Sequence, residues 1–181
     1  ARHEAGLARS TDIASRTEFR DRQRDGDWRC DAFSSDELDT LRAIQPSTGR
    51  PREFDGLFAL PRWQAILEWA ALAASRRDKP VILYPELKCP AEFIANGVDP
   101  MEVFIDSVKK LPGNVNVWVQ CFQVESLRRV HDATGLPCCL LVDAAQDWRE
   151  CLREHGAWLA RLGVDKELLN LPDGASGGLL E

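Results

Sequence analysis

The sequence predicts an α/β fold in which short apolar strands alternate with amphipathic helices. Apolar runs occur at residues 79–84, 115–119 and 138–142. The segments between them carry apolar residues at helical spacing, and Gly or Pro stands at most of the junctions. Apolar strands separated by helices are typical of a parallel sheet that is covered on both faces.

Start and stop signals place the helices. Ser34 and Glu37 form a capping-box pattern, which predicts a short helix that runs to about Ile44. Pro61 opens a longer helix, and the Asp99-Pro100 step starts the next one because proline is favoured at the first helical position. The remaining predicted elements are helices over 125–133 and 147–162, a strand over 162–164, and loops over 1–33, 45–56 and 173–178.

Composition excludes several classes of protein. The chain has 181 residues, 44% of them apolar, which is enough for one domain with a core. Its formal net charge of -6 argues against nucleic acid as a partner, because binding a polyanion needs clustered basic residues. No run of 18 apolar residues is present, so we expect no membrane span. The six cysteines form no C-x-x-C pair and are expected to be buried small residues; a reactive thiol at Cys121 has no support.

Polar residues follow the predicted strands at their carboxyl ends. Glu86 and Lys88 come directly after the first apolar run, Gln120 and Phe122 after the second, and Asp143 after the third. An acid and a base two positions apart lie on one face of an extended chain. Barrels and open α/β sheets both place their chemistry at this edge, so periodicity alone leaves both folds open. The absence of G-x-G-x-x-G and of a Walker motif weakens the case for a nucleotide-binding sheet.

Several motifs, taken in order, resemble the glycerophosphodiester phosphodiesterase family, in its bacterial periplasmic branch. The resemblance spans nearly the whole chain, and its strength comes from the order and spacing of the motifs. The matching segments are His-Glu at 3–4 with Thr-Asp-Ile-Ala at 11–14, Tyr-Pro-Glu-Leu-Lys at 84–88, Gln-Cys-Phe at 120–122 and Leu-Gly-Val-Asp-Lys at 162–166.

The resemblance implies a partial TIM-type (β/α) barrel of the phospholipase-C-like phosphodiesterase kind, formed by residues 1–181 with a loop-rich insertion over 1–60. It implies metal-dependent hydrolysis of small-molecule glycerophosphodiesters to an alcohol and sn-glycerol 3-phosphate, in the periplasm or outside the cell. Glu86 is then the ligand of Ca²⁺ or Mg²⁺, and His3 is the general acid for the leaving alcohol. Lys88 holds the phosphate, and Gln120 and Phe122 line the glycerol pocket.

Two departures from the family pattern limit this expectation. The family's first strand carries His-Arg-Gly and its second carries Glu-x-Asp, and neither strand precedes the matching segments. The family's last strands are missing after them. We therefore expect a fragment of such an enzyme that lacks part of the site, and whose open sheet edge makes it either marginally stable alone or associated with itself or with a missing segment. The alternatives are a catalytically inactive fragment or pseudoenzyme that only binds phosphate or a partner protein and, less favoured, a sphingomyelinase-like or phospholipase D-like barrel.

Overall fold

The computed structural model describes residues 6–77, 79–111 and 113–170, with side chains to residue 168. These residues form two compact units. One comprises residues 6–69 with Glu92–Val98, and the other Ala70–Ala91 with residues 99–170. His3 and the predicted loop at 173–178 lie outside the described residues. The single barrel domain with a loop-rich region over 1–60 stays a prediction.

Helices and strands alternate over most of the second half of the chain. The helices are α1 Ser35–Thr40, α2 Trp63–Ser75, α3 Pro90–Ala95, α4 Pro100–Val108, α5 Val124–Thr134 and α6 Trp148–His155. The strands are β1 Val81–Leu83, β2 Val115–Val117, β3 Val119–Cys121, β4 Cys138–Val142 and β5 Arg161–Val164. Short 3₁₀ helices occupy Asp12–Ser15, Thr17–Arg22, Cys30–Ala32 and Lys166–Asn170.

The amino-terminal segment, predicted to be a loop, instead has a core of its own. Its buried side chains are Leu7, Ile13, Phe19, Trp28 and Leu41. Thr11 is fully buried and satisfied locally: its hydroxyl donates to the Leu7 carbonyl at 2.7 Å and accepts from the Ile13 amide at 3.3 Å. The prediction of a loop was wrong where the three 3₁₀ helices form, because 3₁₀ turns follow no 3.6-residue or 2-residue period.

The capping box at the start of α1 is confirmed. The Glu37 amide donates to the Ser34 hydroxyl at 3.2 Å, and the Ser34 amide donates to the Glu37 carboxylate at 2.8 Å. Arg22 also donates to that carboxylate at 2.9 Å. The helix ends at Thr40, four residues before the predicted end. The Arg22 hydrogen bond, followed by the Ser34 amide, lowers the pKa of Glu37 to about 2.

This carboxylate is expected to make stability fall in acid. Because the folded-state pKa is depressed, the contribution is present above the unfolded value of about 4.3 and is lost as pH falls toward 2. Glu37→Gln keeps the side-chain shape, so its thermal midpoint is expected to lie below that of the unmodified chain at pH 6, with the gap closing near pH 2.5. Glu18→Gln, whose carboxylate lies 3.9 Å from Arg16, is the control and is expected to show no such convergence. A gap of constant size across this pH range would contradict the assignment.

The second unit is built on parallel strands. β1 pairs with β2, β3 pairs with β4, and β4 pairs with β5, all in parallel. A parallel bridge between Glu86 and Gln120 continues the register of β1 and β2, in which Leu83 faces Val117. The Trp118 amide also donates to the Leu83 carbonyl at 2.9 Å. Adjacent strands in space are therefore also consecutive in sequence, in the order β1, β2–β3, β4 and β5.

Helices cover one face of these strands. Ala70 and Ala74 of α2 pack with Val115, and Val81 and Leu83 pack against the same cluster. Helix α5 contacts β3 and β4 and ends at Gly135, whose positive φ of 68° fits a left-handed C-terminal residue. The opposite face has exposed apolar side chains, since Ile82 is 61% accessible. A doubly wound sheet reverses its strand order at a switch point, whereas consecutive strands follow chain order here. The barrel itself stays a prediction.

Candidate functional site

One row across the open face of the sheet carries four polar or ionisable side chains. Glu86 faces Gln120, Gln120 faces Cys139, and Cys139 faces Arg161 in the strand register. Adjacent strands lie about 4.8 Å apart, and alternate residues of a strand share one face. The row is therefore on the face opposite to the cluster around Ala74, with Glu86 at one edge and Arg161 at the other.

Glu86 and Lys88 form an ion pair where the first strand segment ends. The Lys88 Nζ lies 2.7 Å from Glu86 Oε1, and the two side chains are 23% and 18% accessible respectively. Oε1 is buried, and no described group makes a hydrogen bond of suitable geometry to it, so the Lys88 ammonium is its partner as a charge. This ion pair offsets the cost of burying the carboxylate, and a metal cation at Oε1 would have to displace the ammonium. The arrangement matches the prediction that both side chains face the same side.

Gln120 and Phe122 lie beside this pair. The Lys88 ammonium is 5.6 Å from the centroid of the Phe122 ring, which is 47% exposed. Gln120 accepts the Leu87 amide at its carbonyl at 2.9 Å, and its side-chain amide donates weakly to the Tyr84 carbonyl at 3.4 Å. The structure thus brings together four of the five predicted site residues, and the fifth, His3, lies outside the described residues.

Cys121 is beside this site but faces away from it. Its thiol is buried, donates to the Leu87 carbonyl at 3.1 Å and accepts from the Gln123 amide at 3.3 Å. Burial is the main cause that raises the pKa of the Cys121 thiol, and the Glu86 charge raises it further. Burial likewise raises the pKa of Cys138 to about 11. Both thiols stay protonated at neutral pH and serve as packing groups, as expected for small buried residues.

A second cluster on the open face was not predicted. The Arg161 guanidinium lies 4.4 Å from the centroid of the Trp118 ring. Tyr84 is close enough to Cys139 and Arg161 for both to affect its pKa. Burial raises the pKa of Tyr84, so its hydroxyl remains a neutral donor. The signal in the sequence was the strand period, because Tyr84, Trp118 and Arg161 stand at positions that share a face with Glu86.

Glu86 fits a hard divalent cation as one ligand. Its carboxylate oxygens are the donor type that Ca²⁺ and Mg²⁺ prefer, and the nearby Lys88 ammonium holds the place that a cation at Oε1 would take. Among the described residues no three His, Cys, Asp or Glu side chains lie close enough together to hold a metal ion. The letters Glu-x-Asp do occur twice in the sequence, but Glu37 and Asp39 belong to α1, while Asp55 caps a turn by accepting the Gln45 amide at 2.7 Å. Neither occurrence follows a strand, so neither supplies the missing pair.

Two other features of the second unit lie at the ends of its strands. The exposed Asp143 accepts the Ala145 amide at 2.9 Å and shapes the turn after β4. A shallow cavity lined by Lys79, Asn114 and Asn116 is at the amino-terminal ends of β1 and β2, opposite the edge that carries Glu86.

Comparisons with known proteins leave the family open. No protein-family model matches the sequence. No curated protein matches it either. Within the described part of the chain, none of the helices has the length and apolar character needed to cross a membrane. The fold and the site geometry are therefore the basis for a functional proposal, together with the motif resemblance.

Proposed function

We propose that this chain carries the cation- and phosphate-binding part of a metal-dependent hydrolase that acts on glycerophosphodiesters. The observation that carries the proposal is the pair formed by Glu86 and Lys88. A buried carboxylate oxygen without a hydrogen-bond partner lies next to an ammonium group, at the carboxyl end of a parallel strand. That end is where α/β folds bind ligands.

The reaction needs two things that these residues address. Water adds to phosphorus, the bond to the alcohol oxygen breaks, and the alcohol leaves with a proton while sn-glycerol 3-phosphate keeps the phosphate. Negative charge on the phosphoryl oxygens is offset by the Lys88 ammonium, and a cation held by Glu86 would add Lewis acidity. Gln120 offers an amide to the glycerol hydroxyls, and Phe122 an apolar wall. The proton donor implied by the resemblance is His3.

The order of the strands supports the same proposal. Consecutive parallel strands that lie side by side in chain order are the unit of a (β/α) barrel, in which the carboxyl ends of the strands surround one site. In a barrel the open face would point inward, which accounts for polar and ionisable groups such as Glu86, Gln120 and Arg161 on a face that no described helix covers. Ca²⁺ or Mg²⁺ is the proposed cofactor, and the periplasm or the cell exterior the proposed location.

A second candidate is a catalytically inactive phosphate-binding chain. The observation that favours it is that the described residues bring only one carboxylate to the Lys88 ammonium and no histidine. Such a chain binds the phosphate through Lys88 but lacks the groups that turn the substrate over. Both candidates require the same phosphate site and differ only in turnover.

Release of glycerol 3-phosphate from glycerophosphocholine separates the two. The chain is assayed with Ca²⁺, with Mg²⁺ and with EDTA, and glycerol 3-phosphate binding is measured in parallel by calorimetry. Turnover that EDTA abolishes is expected for the hydrolase, and binding without turnover for the inactive chain. In both cases Lys88→Met is expected to weaken binding about tenfold or more, since a charge-assisted contact is lost. Binding that is unchanged in Lys88→Met contradicts the proposed phosphate site.

A further inference from the structure

The open face of the sheet has two cations, and each lies over an aromatic ring. Lys88 lies over Phe122, and Arg161 lies over Trp118. Lys88 also has the Glu86 carboxylate at 2.7 Å. Arg161 has no carboxylate within ion-pairing distance among the described residues, and it is exposed. The chain has a net charge of -6, so acidic side chains are in excess, yet none of the described ones pairs with this guanidinium. An exposed guanidinium without an acidic partner can bind an anionic ligand.

The side chains from the outer strands converge over the middle of the face. Arg161 belongs to β5, yet its guanidinium contacts Trp118, which lies two strands away. Tyr84 follows the strand at the opposite edge and lies near Cys139 and Arg161. From strand spacing and rise, the guanidinium is on the order of 10 Å from Glu86. That distance matches the reach of a substrate whose phosphodiester is at Glu86 and Lys88 and whose head group extends along the face.

The aromatic rings argue against a cationic head group. A quaternary ammonium is recognised by open aromatic faces. Here Trp118 and Phe122 already stack with cations of the protein itself, and those cations would repel choline. The same two charges attract a head group that carries a negative charge. Resting on the proposed phosphodiesterase function, we propose that the substrate class is glycerophosphodiesters with an anionic head group, and that Arg161 binds the head-group anion.

Three ligands that share the glycerophosphate part test this inference. They are glycerophosphocholine, glycerophosphoinositol and glycerophosphoinositol 4-phosphate, whose head groups are cationic, neutral and anionic. Binding to the full chain is measured by calorimetry with Ca²⁺ present. The 4-phosphate is expected to bind about tenfold more tightly than the neutral compound, the gain of one charge-assisted contact. The choline compound is expected to bind most weakly.

Variants assign the preference to one side chain. Arg161→Met is expected to bring the two inositol ligands to within about twofold of each other, and Arg161→Lys to restore part of the difference. Arg149→Met is the matched control, because Arg149 also stacks on a tryptophan, Trp148 at 4.3 Å, and belongs to helix α6 and not to the row. It is expected to leave the ranking unchanged. Thermal melting of each variant verifies that the fold is kept.

The outcomes separate this inference from the function on which it rests. Equal binding of the three ligands, or a preference that survives Arg161→Met, overturns the assignment of Arg161. If glycerol 3-phosphate and all three diesters fail to bind, the proposed function is overturned together with it. Lys88→Met is expected to weaken the binding of all three ligands to the same extent. If it weakens the binding of the 4-phosphate selectively, the head-group anion binds at Lys88 and not at Arg161.

Discussion

Glu86→Gln is expected to abolish the dependence on a divalent cation that the proposed function requires. The substitution keeps the side-chain volume and removes the negative charge from the oxygen that lies buried without a hydrogen-bond partner. Hard divalent cations bind carboxylates far better than amides, so affinity for Ca²⁺ and Mg²⁺ is expected to fall by about 100-fold or more. Loss of a residue that only supports a ligand costs about 10- to 100-fold, and loss of a ligand itself is expected to cost at least as much. Any glycerol 3-phosphate release that EDTA suppresses should be lost with it.

Calorimetric titration of Ca²⁺ and Mg²⁺ into both proteins measures this directly. Glu92→Gln is the control: Glu92 is also a glutamate in an ion pair, 3.0 Å from Arg29, but its side chain is exposed. We expect that control to bind cations as the unmodified chain does. Equal cation affinity in Glu86→Gln would show that Glu86 is not a ligand and that its ion pair with Lys88 is only a feature of the strand end.

The strand pattern of the second unit could be predicted because it depends on local composition. β4 has the predicted bounds, and α4 begins at Pro100 after an Asp99 side chain that accepts two amides. α6 ends at His155, seven residues before the predicted end. The segment beyond it is needed as β5, where Leu162 faces Leu140, and this pairing overrides helical periodicity.

Helix α3 was not predicted, although the sequence contains a start signal and a stop signal for it. Pro90 begins the helix and Gly97, with a φ of 82°, follows its end, which is the usual order of these two residues. Cys89 before it has a φ of 43°, a conformation that only glycine adopts easily. The bend lies directly between the extended segment that ends at Lys88 and the start of the helix. The periodicity of the sequence therefore did not show that a helix begins there.

The candidate site was predicted in part. Glu86 and Lys88 share a face because they are two residues apart in an extended segment, which needs no tertiary information. The proximity of Arg161 to Trp118 depends on the register of three strands and on the direction in which a long side chain leans. Register follows from the packing of the whole face, so a single sequence without its pairing does not specify this contact.

Trp28→Ala is expected to be the most destabilising single change in the amino-terminal unit. Trp28 is 5% accessible, is one of five buried side chains that form the core of this unit within the described residues, and donates its indole N–H to the Phe19 carbonyl at 2.7 Å. Its truncation removes the largest side chain of that core and leaves a carbonyl without its donor. The expected cost is about 3–5 kcal/mol for the cavity, with about 1 kcal/mol more for the hydrogen bond.

A loss of that size in so small a core should appear as local opening before global unfolding. Amide hydrogen exchange over residues 6–60 is expected to accelerate by about a hundredfold or more in Trp28→Ala, since each 1.4 kcal/mol changes an opening equilibrium tenfold. Trp69→Ala, at a tryptophan that is 61% exposed, is the matched control and is expected to leave these amides protected. Equal exchange in the two variants would mean that Trp28 contributes no more to the stability of this segment than an exposed side chain does.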